Sequence, residues 1–460
     1  MHVQTYTYGN IPIEMWEYPA YIAMLVVVWF VGAGIKRRRI AHQPEYRFFL
    51  WGLWAKVAGG FLFACIYIFH YGQGDTTSFY ECSIAFCRLL FDDPSSFFTV
   101  LAGDGTQEMK SYFTAETGEP MMYMFGEGAT RFTMKLLVPF MLLSGQSYFI
   151  TTLLISIVTY GALWRLYLMF TSYFPQYTRN LAIAILFMPS VIFWGSGILK
   201  DSFTLAATCY LMVITNNIIQ RQGRLWLNVA GMLFFGYVII SVKAYVILIL
   251  LPSSLVWFFY SKVKKIKNRL VRYLIVPFTY IAIIGGSYYG LTAFGETLGK
   301  FSIDRALKTA AITQGDLKQE YYEGNSFDIG DFEATPMGAL AKFPQATAAG
   351  LFRPFLLESR NTVMVLSGIE NLFILGLTLV VIVTVKWKVL RKLVSENPVI
   401  IYSFVFSVLF AFMIGLTTSN FGALVRFKIP LIPLYMASIM IMFSKLRKPK
   451  ITNSRRFQTM

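Results

Sequence analysis

Tyr18-Pro-Ala-Tyr-Ile-Ala-Met-Leu-Val-Val-Val-Trp-Phe-Val-Gly-Ala-Gly-Ile35, closed by Lys36-Arg37-Arg38-Arg39, decides the fold class. A bilayer core of about 30 Å is crossed by roughly 20 apolar residues in a helix, and this run has that length. The four cations stop it, as they would stop a signal-anchor rather than mark a cleavable signal peptide. Applied along the chain, the same ruler predicts about eleven spans. They fall at 18–35, 48–69, 148–170, 181–198, 202–219, 226–242, 244–260, 273–293, 363–385, 399–416 and 427–444. The expected fold is all-α: a polytopic transmembrane bundle forming one integral membrane domain over 1–460.

Composition agrees. The chain is 56% hydrophobic and only 14% charged. A soluble protein carries roughly a quarter charged residues, so the apolar surplus here needs lipid as its solvent. The net charge of +17 excludes less than it suggests. Its Lys and Arg residues stand in short clusters between apolar runs, with no long basic face and no nucleic-acid module, so no nucleic-acid partner is expected. The clusters Lys36–Arg39, Arg179, Arg221 with Arg224, 262–269, 386–392 and 445–456 all fall on one side of the predicted spans. By the positive-inside rule that side is the cytoplasm, which puts the N-terminus outside and the C-terminus inside. The expected location is the inner (cytoplasmic) membrane of a bacterium, in keeping with the absence of any Asn-x-Ser/Thr sequon.

Two long outer loops remain, 70–133 and 294–362, both acidic and neither of low complexity. Apolar stretches within them, at 97–101, 121–125 and 338–355, read as helices lying on the membrane surface. Cys82 and Cys87 lie in the first loop, where an oxidising compartment would allow a disulfide, although five residues apart on one helix they face different ways. The three histidines have no paired ligand spacing, which argues against a zinc enzyme.

Candidate chemistry lies on the outer side. In Tyr71-Gly-Gln-Gly-Asp75-Thr-Thr-Ser-Phe-Tyr80, Gly72 and Gly74 allow a tight turn at the membrane exit, and Asp75 is presented as a general base or as a helix cap. In Pro189-Ser-Val-Ile-Phe-Trp194-Gly-Ser-Gly-Ile-Leu-Lys200-Asp201-Ser202, the Pro and Gly residues loosen a helix end and deliver Lys200 and Asp201 to the surface, as anion ligand and cap or as a mutual ion pair. Lys243, Arg353, Arg426 and Lys428 are cations on the side that the charge rule leaves poor in them. A phosphate would gather such a set, while snorkelling to headgroups would serve each one singly. Asp92, Asp93 and Asp104 could ligate a divalent metal, though nothing in the pattern requires one.

These segments together resemble the GT-C superfamily of multi-spanning glycosyltransferases. The likeness rests on the two-span entry to a large loop with an early acid, Asp75, on surface helices, and on the late outer Arg426-Phe-Lys428-Ile-Pro430. The segments 189–201 and Leu351-Phe-Arg353-Pro-Phe-Leu-Leu-Glu358 also look like parts of bacterial envelope-polysaccharide membrane proteins. The chain departs from the family in following Asp75 with Thr76 rather than a second acid, and in lacking a large soluble C-terminal domain. The resemblance implies transfer of a sugar from a polyprenyl-phosphate carrier to a glycan, lipid or protein acceptor, with inversion. Asp75 would be the base, and Lys200, Lys243, Arg353, Arg426 and Lys428 would hold the lipid phosphate. Asp201, Asn420 and Glu358 would support them, and no cofactor is required. A polysaccharide polymerase or ligase acting on pyrophosphate-linked glycans, or a transporter or flippase for lipid-linked sugars, are the alternatives.

Overall fold

The computed structural model describes residues 5–8, 11–263, 325–388 and 396–445, together with 308, 311 and 312. The span expected at 273–293 and the acids Asp304, Asp316, Glu320 and Glu323 lie outside the described residues. So do the basic segments at 264–269, 389–392 and from 446 onward.

The molecule is an all-α helix bundle with a helical cap at one end. An antiparallel hairpin that the sequence pattern does not announce, β1 (Thr5–Tyr8) and β2 (Ile11–Glu14), leads into α1 (Glu17–Arg39). The second membrane-length stretch, Pro44–Tyr71, consists of α2 (Phe49–Cys65) with a 3₁₀ turn before it and a π-helical turn, Ile66–Tyr71, after it. The cap follows: α3 (Asp75–Asp92), α4 (Pro94–Ala102), α5 (Gln107–Lys110), α6 (Met122–Gly126) and α7 (Gly128–Leu143). Phe79, Phe86, Phe97, Phe125 and Leu137 close their own apolar core there, joined by Ile11 and Ile13 of the hairpin. Helix α3 is buried at every position from 82 to 87, more than a full turn, so it is a core helix of the cap rather than one with a single buried face. Cys82 and Cys87 are buried free thiols in this core, and the Cys82 thiol meets the Met124 sulfur at 3.8 Å.

The remaining bundle contains α8 (Tyr148–Tyr173), α9 (Thr178–Leu186), α10 (Pro189–Trp194), α11 (Lys200–Gln220), α12 (Leu225–Lys243) and α13 (Tyr245–Val263). After the undescribed stretch come α14 (Pro336–Ala341), α15 (Phe343–Phe352), α16 (Thr362–Thr384), α17 (Pro398–Thr417), α18 (Phe421–Phe427) and α19 (Ile432–Ser444). Among the described residues, seven helices are long and apolar enough to cross a membrane, or eight if α18 and α19, bent by 69°, make one span. The stretch 181–198, read from the sequence as one span, is the two short helices α9 and α10. Pro189 separates them, since it offers no N–H and forces Met188 into an extended conformation.

Helix ends sort by charge. Lys36–Arg39, Arg179, Arg221, Arg224 and Lys445 stand at or beside helix ends that the chain's alternation brings to one end of the bundle. Cross-links there include Arg47 to the Thr178 hydroxyl at 3.0 Å and Asn180 to the Ser444 hydroxyl at 2.6 Å. The cap, the head of α11 and residues 325–358 gather at the opposite end. There α15 lies unusually close to α17: a Cβ added at Gly415 would fall 1.9 Å from the Ala346 carbonyl oxygen, so only glycine lets the backbones meet.

Candidate functional site

Asp75 opens α3 directly after the π-helical turn. Gly72, at φ +73°, makes the turn, and Gly74 passes so near Tyr67 that an added Cβ would lie 2.8 Å from its ring. Asp75 is not the helix cap. That work falls to Thr77, whose hydroxyl accepts from the Gly74 N–H at 3.0 Å and donates to its carbonyl at 2.8 Å. The Asp75 carboxylate is therefore free to turn outward, and its Oδ2 accepts from the Arg426 guanidinium at 2.7 Å across 351 residues of sequence. The aspartate side chain is 60% exposed and the arginine 19% exposed. Water and solutes reach the acid, while the base is held in the bundle.

A second ion pair lies alongside. Lys243, the last residue of α12, donates to the Asp201 carboxylate near the start of α11, and both are almost fully buried. Asp201 does not cap α11, nor does it pair with Lys200. The Lys243 ammonium also stands 3.7 Å above the Phe427 ring, next to Arg426. The four charges of Asp75, Asp201, Lys243 and Arg426 act on one another, with the Tyr67 hydroxyl as a neighbour. The result is a compact array of two acids and two bases at the mouth of the bundle.

The other predicted cations are held elsewhere. Lys200 turns to the cap, bonding Glu127 at 3.0 Å and Thr130 at 2.6 Å. Arg353 faces Glu358 at 3.5 Å and the Asp328 carbonyl at 3.4 Å, and its guanidinium lies 5.1 Å from the Phe327 ring. Glu358 in turn accepts from the Phe355 N–H at 2.8 Å. Lys428 is buried in the break between α18 and α19, where it donates to Asn371 and, at 3.1 Å, to the Arg353 carbonyl. Asn420 caps α18 by accepting from the Ala423 N–H at 3.0 Å. Asp93 caps α4, and its carboxylate is held down at about 2 by bonds from the Ser96 and Ser95 hydroxyls and N–H groups. No group of three or more His, Cys, Asp or Glu among the described residues is placed to hold a metal ion.

Two residues escape motif reading: Lys56 and Glu370. Each is buried, and each bonds one end of the short helix α10. The Lys56 ammonium donates to the Val191 and Gly195 carbonyls, both at 2.7 Å. Glu370 accepts from the Ser190 N–H at 2.7 Å and from its hydroxyl at 2.6 Å. A signal was available, since each is the lone charge within an apolar run, Lys56 in 48–69 and Glu370 in 363–385. An ionisable group in a span marks a partner or a function.

No family model matches the chain, and no curated protein or solved structure matches it either.

Proposed function

We propose that the chain is a membrane glycosyltransferase that moves a sugar from a polyprenyl-phosphate carrier to an acceptor hydroxyl on the outer side of a bacterial inner membrane. The observation that carries this reading is the Asp75–Arg426 pair at 2.7 Å, with Asp201–Lys243 beside it. It joins an exposed acid to cations on a side that topology does not supply with cations. The orientation, N-terminus out and C-terminus in, and a span count near eleven belong to the same proposal.

The chemistry follows from the competition at Arg426. A phosphate offers the guanidinium the same bidentate geometry as a carboxylate, so donor binding displaces Asp75 and frees it as a base. Asp75 then takes the acceptor's hydroxyl proton, and the oxygen attacks the anomeric carbon from the face opposite the phosphate. The anomeric C–O bond breaks, its electron pair leaves with the polyprenyl phosphate, and the configuration inverts. Arg426 and Lys243 stabilise the charge that develops on the leaving oxygen. The test is transfer from a polyprenyl-phosphate sugar in purified proteoliposomes by wild type, Asp75→Asn and Arg426→Ala. Loss in both variants at matched expression is expected, and full activity in both removes the assignment.

A second reading, movement of a lipid-linked sugar across the membrane, is favoured by one feature. The interrupted helices α9–α10 and α18–α19 pack against each other, α9 on α19 and α10 on α18. Discontinuous helices facing one another recur at transport sites. Solute flux in proteoliposomes without sugar transfer selects that reading. A donor requirement for a pyrophosphate-linked glycan selects a polymerase or ligase.

A further inference from the structure

Inside a membrane no water satisfies a backbone group, so a broken helix is tolerated only where other protein groups complete its ends. Helix α10 is six residues long and broken at both ends, by Pro189 and by the Gly195-Ser196-Gly197 turn. Its N-terminus is completed by Glu370 of α16, which covers the Ser190 N–H. Its C-terminus is completed by Lys56 of α2, which covers the carbonyls of Val191 and Gly195. The signs match the free groups at each end: a carboxylate on N–H donors and an ammonium on carbonyl acceptors. Small residues seat the helix between them. A Cβ at Gly59 would lie 2.5 Å from the Ile192 carbonyl oxygen, and one at Gly197 would strike the Phe63 ring at 2.1 Å.

This helix connects to the ionic array in two ways. It packs directly on α18, which carries Arg426. It also runs through the buried turn 195–199 into the head of α11, where the Ser202 hydroxyl donates to the Gly197 carbonyl at 2.7 Å and Asp201 meets Lys243. The mechanism above uses neither Lys56 nor Glu370. We infer that Lys56 and Glu370 are positioning residues: they clamp α10 from both ends and thereby set where Arg426 and Asp201 stand for a lipid-phosphate ligand. The inference rests on the proposed function for its ligand, but the clamp itself is a statement about three helices and is tested without activity.

Full-length protein in nanodiscs is compared as wild type, Lys56→Met, Lys56→Arg, Glu370→Ala and Glu370→Gln. Hydrogen–deuterium exchange is followed in peptides covering 187–201, 421–427 and, as a control, 148–173. Expected for Lys56→Met and Glu370→Ala is faster exchange in both 187–201 and 421–427 with the control unchanged, and partial recovery in Lys56→Arg and Glu370→Gln. Faster exchange confined to 187–201 overturns the inference, because the clamp then does not reach Arg426. A rise that includes the control also overturns it, because the residues are then general fold supports. If Lys56→Met is not recovered as a monodisperse protein, Glu370→Ala, with Glu370→Gln as its rescue, decides alone. In the transfer assay, positioning predicts a rise in KM for the polyprenyl-phosphate donor of about tenfold with kcat nearly unchanged, whereas partial misfolding lowers kcat per mass of protein at constant KM. If wild type transfers no sugar, the proposed function fails while the exchange data still decide the clamp.

Discussion

The ionic array at the bundle mouth and the clamp on α10 are built from the same residue types, yet they differ in what surrounds them. Asp75 is 60% exposed and meets Arg426 at a surface, so the pair can open at little cost. Exposed ion pairs contribute only about 0–1 kcal/mol. Lys56 and Glu370 are 1% and 5% exposed, and each bonds backbone groups that have no other way to be satisfied. A contact that opens cheaply suits exchange with a ligand, whereas one that cannot open suits a scaffold. The comparison predicts that the two regions separate function from stability.

The largest effect expected is on the exposed side. Asp75→Asn keeps the shape but removes the base, and sugar transfer should fall by about 10²–10⁴-fold, the usual contribution of general base catalysis. The thermal unfolding midpoint of the same variant in detergent should stay near the wild-type value, because Asp75 is exposed and the asparagine still offers Arg426 an acceptor oxygen. A variant that loses activity and stability together breaks the comparison.

The buried side should show the reverse. Glu370→Ala strands the Ser190 N–H in an apolar interior, a loss of about 1–3 kcal/mol. Its unfolding midpoint should drop, while Glu370→Gln, which still offers an acceptor oxygen, should recover part of the loss. An unchanged midpoint for Glu370→Ala would mean that water or lipid headgroups reach α10, and the division between the two regions would then be one of position only.

The sequence made the bundle legible because period and length suffice for helices in lipid. It also pointed to Asp75, Lys243 and Arg426, because charges remote from the basic clusters are visible without coordinates, but it did not show that Lys200, Arg353 and Lys428 are held by other partners. It did not show which acid meets which base. Lys200 and Asp201 are adjacent yet face different partners, Glu127 and Lys243, because neighbouring residues on a helix point about 100° apart. Nor did it separate α9 from α10: hydropathy averages across Pro189, while the backbone breaks there. The hairpin at 5–14 was illegible because its strands are too short to alternate convincingly. Lys56 and Glu370 were visible as lone charges, but their partners are main-chain atoms, which carry no residue signature.

The smallest effect separates the cap from both regions. Lys135 on α7 donates to the Gly103 carbonyl at 2.8 Å, and burial, aided by the nearby Arg131 charge, holds its ammonium down to about 8. The ordinary lysine value is near 10.4, so between about pH 8 and 10.4 the unfolded chain binds a proton that the folded cap has released. Folding in that window is therefore favoured as pH rises, and below about pH 8 the cost of burying the charge is fully present. Wild-type unfolding midpoints measured from pH 7.5 to 10 should rise relative to those of Lys135→Met, which has no proton to release. Because Lys135 is half-buried, solvent screens the effect and the slope difference should be slight. Parallel slopes would mean that the ammonium keeps its water, and that the segment around Gly103 is held to α7 by the apolar contacts of the cap rather than by this lysine.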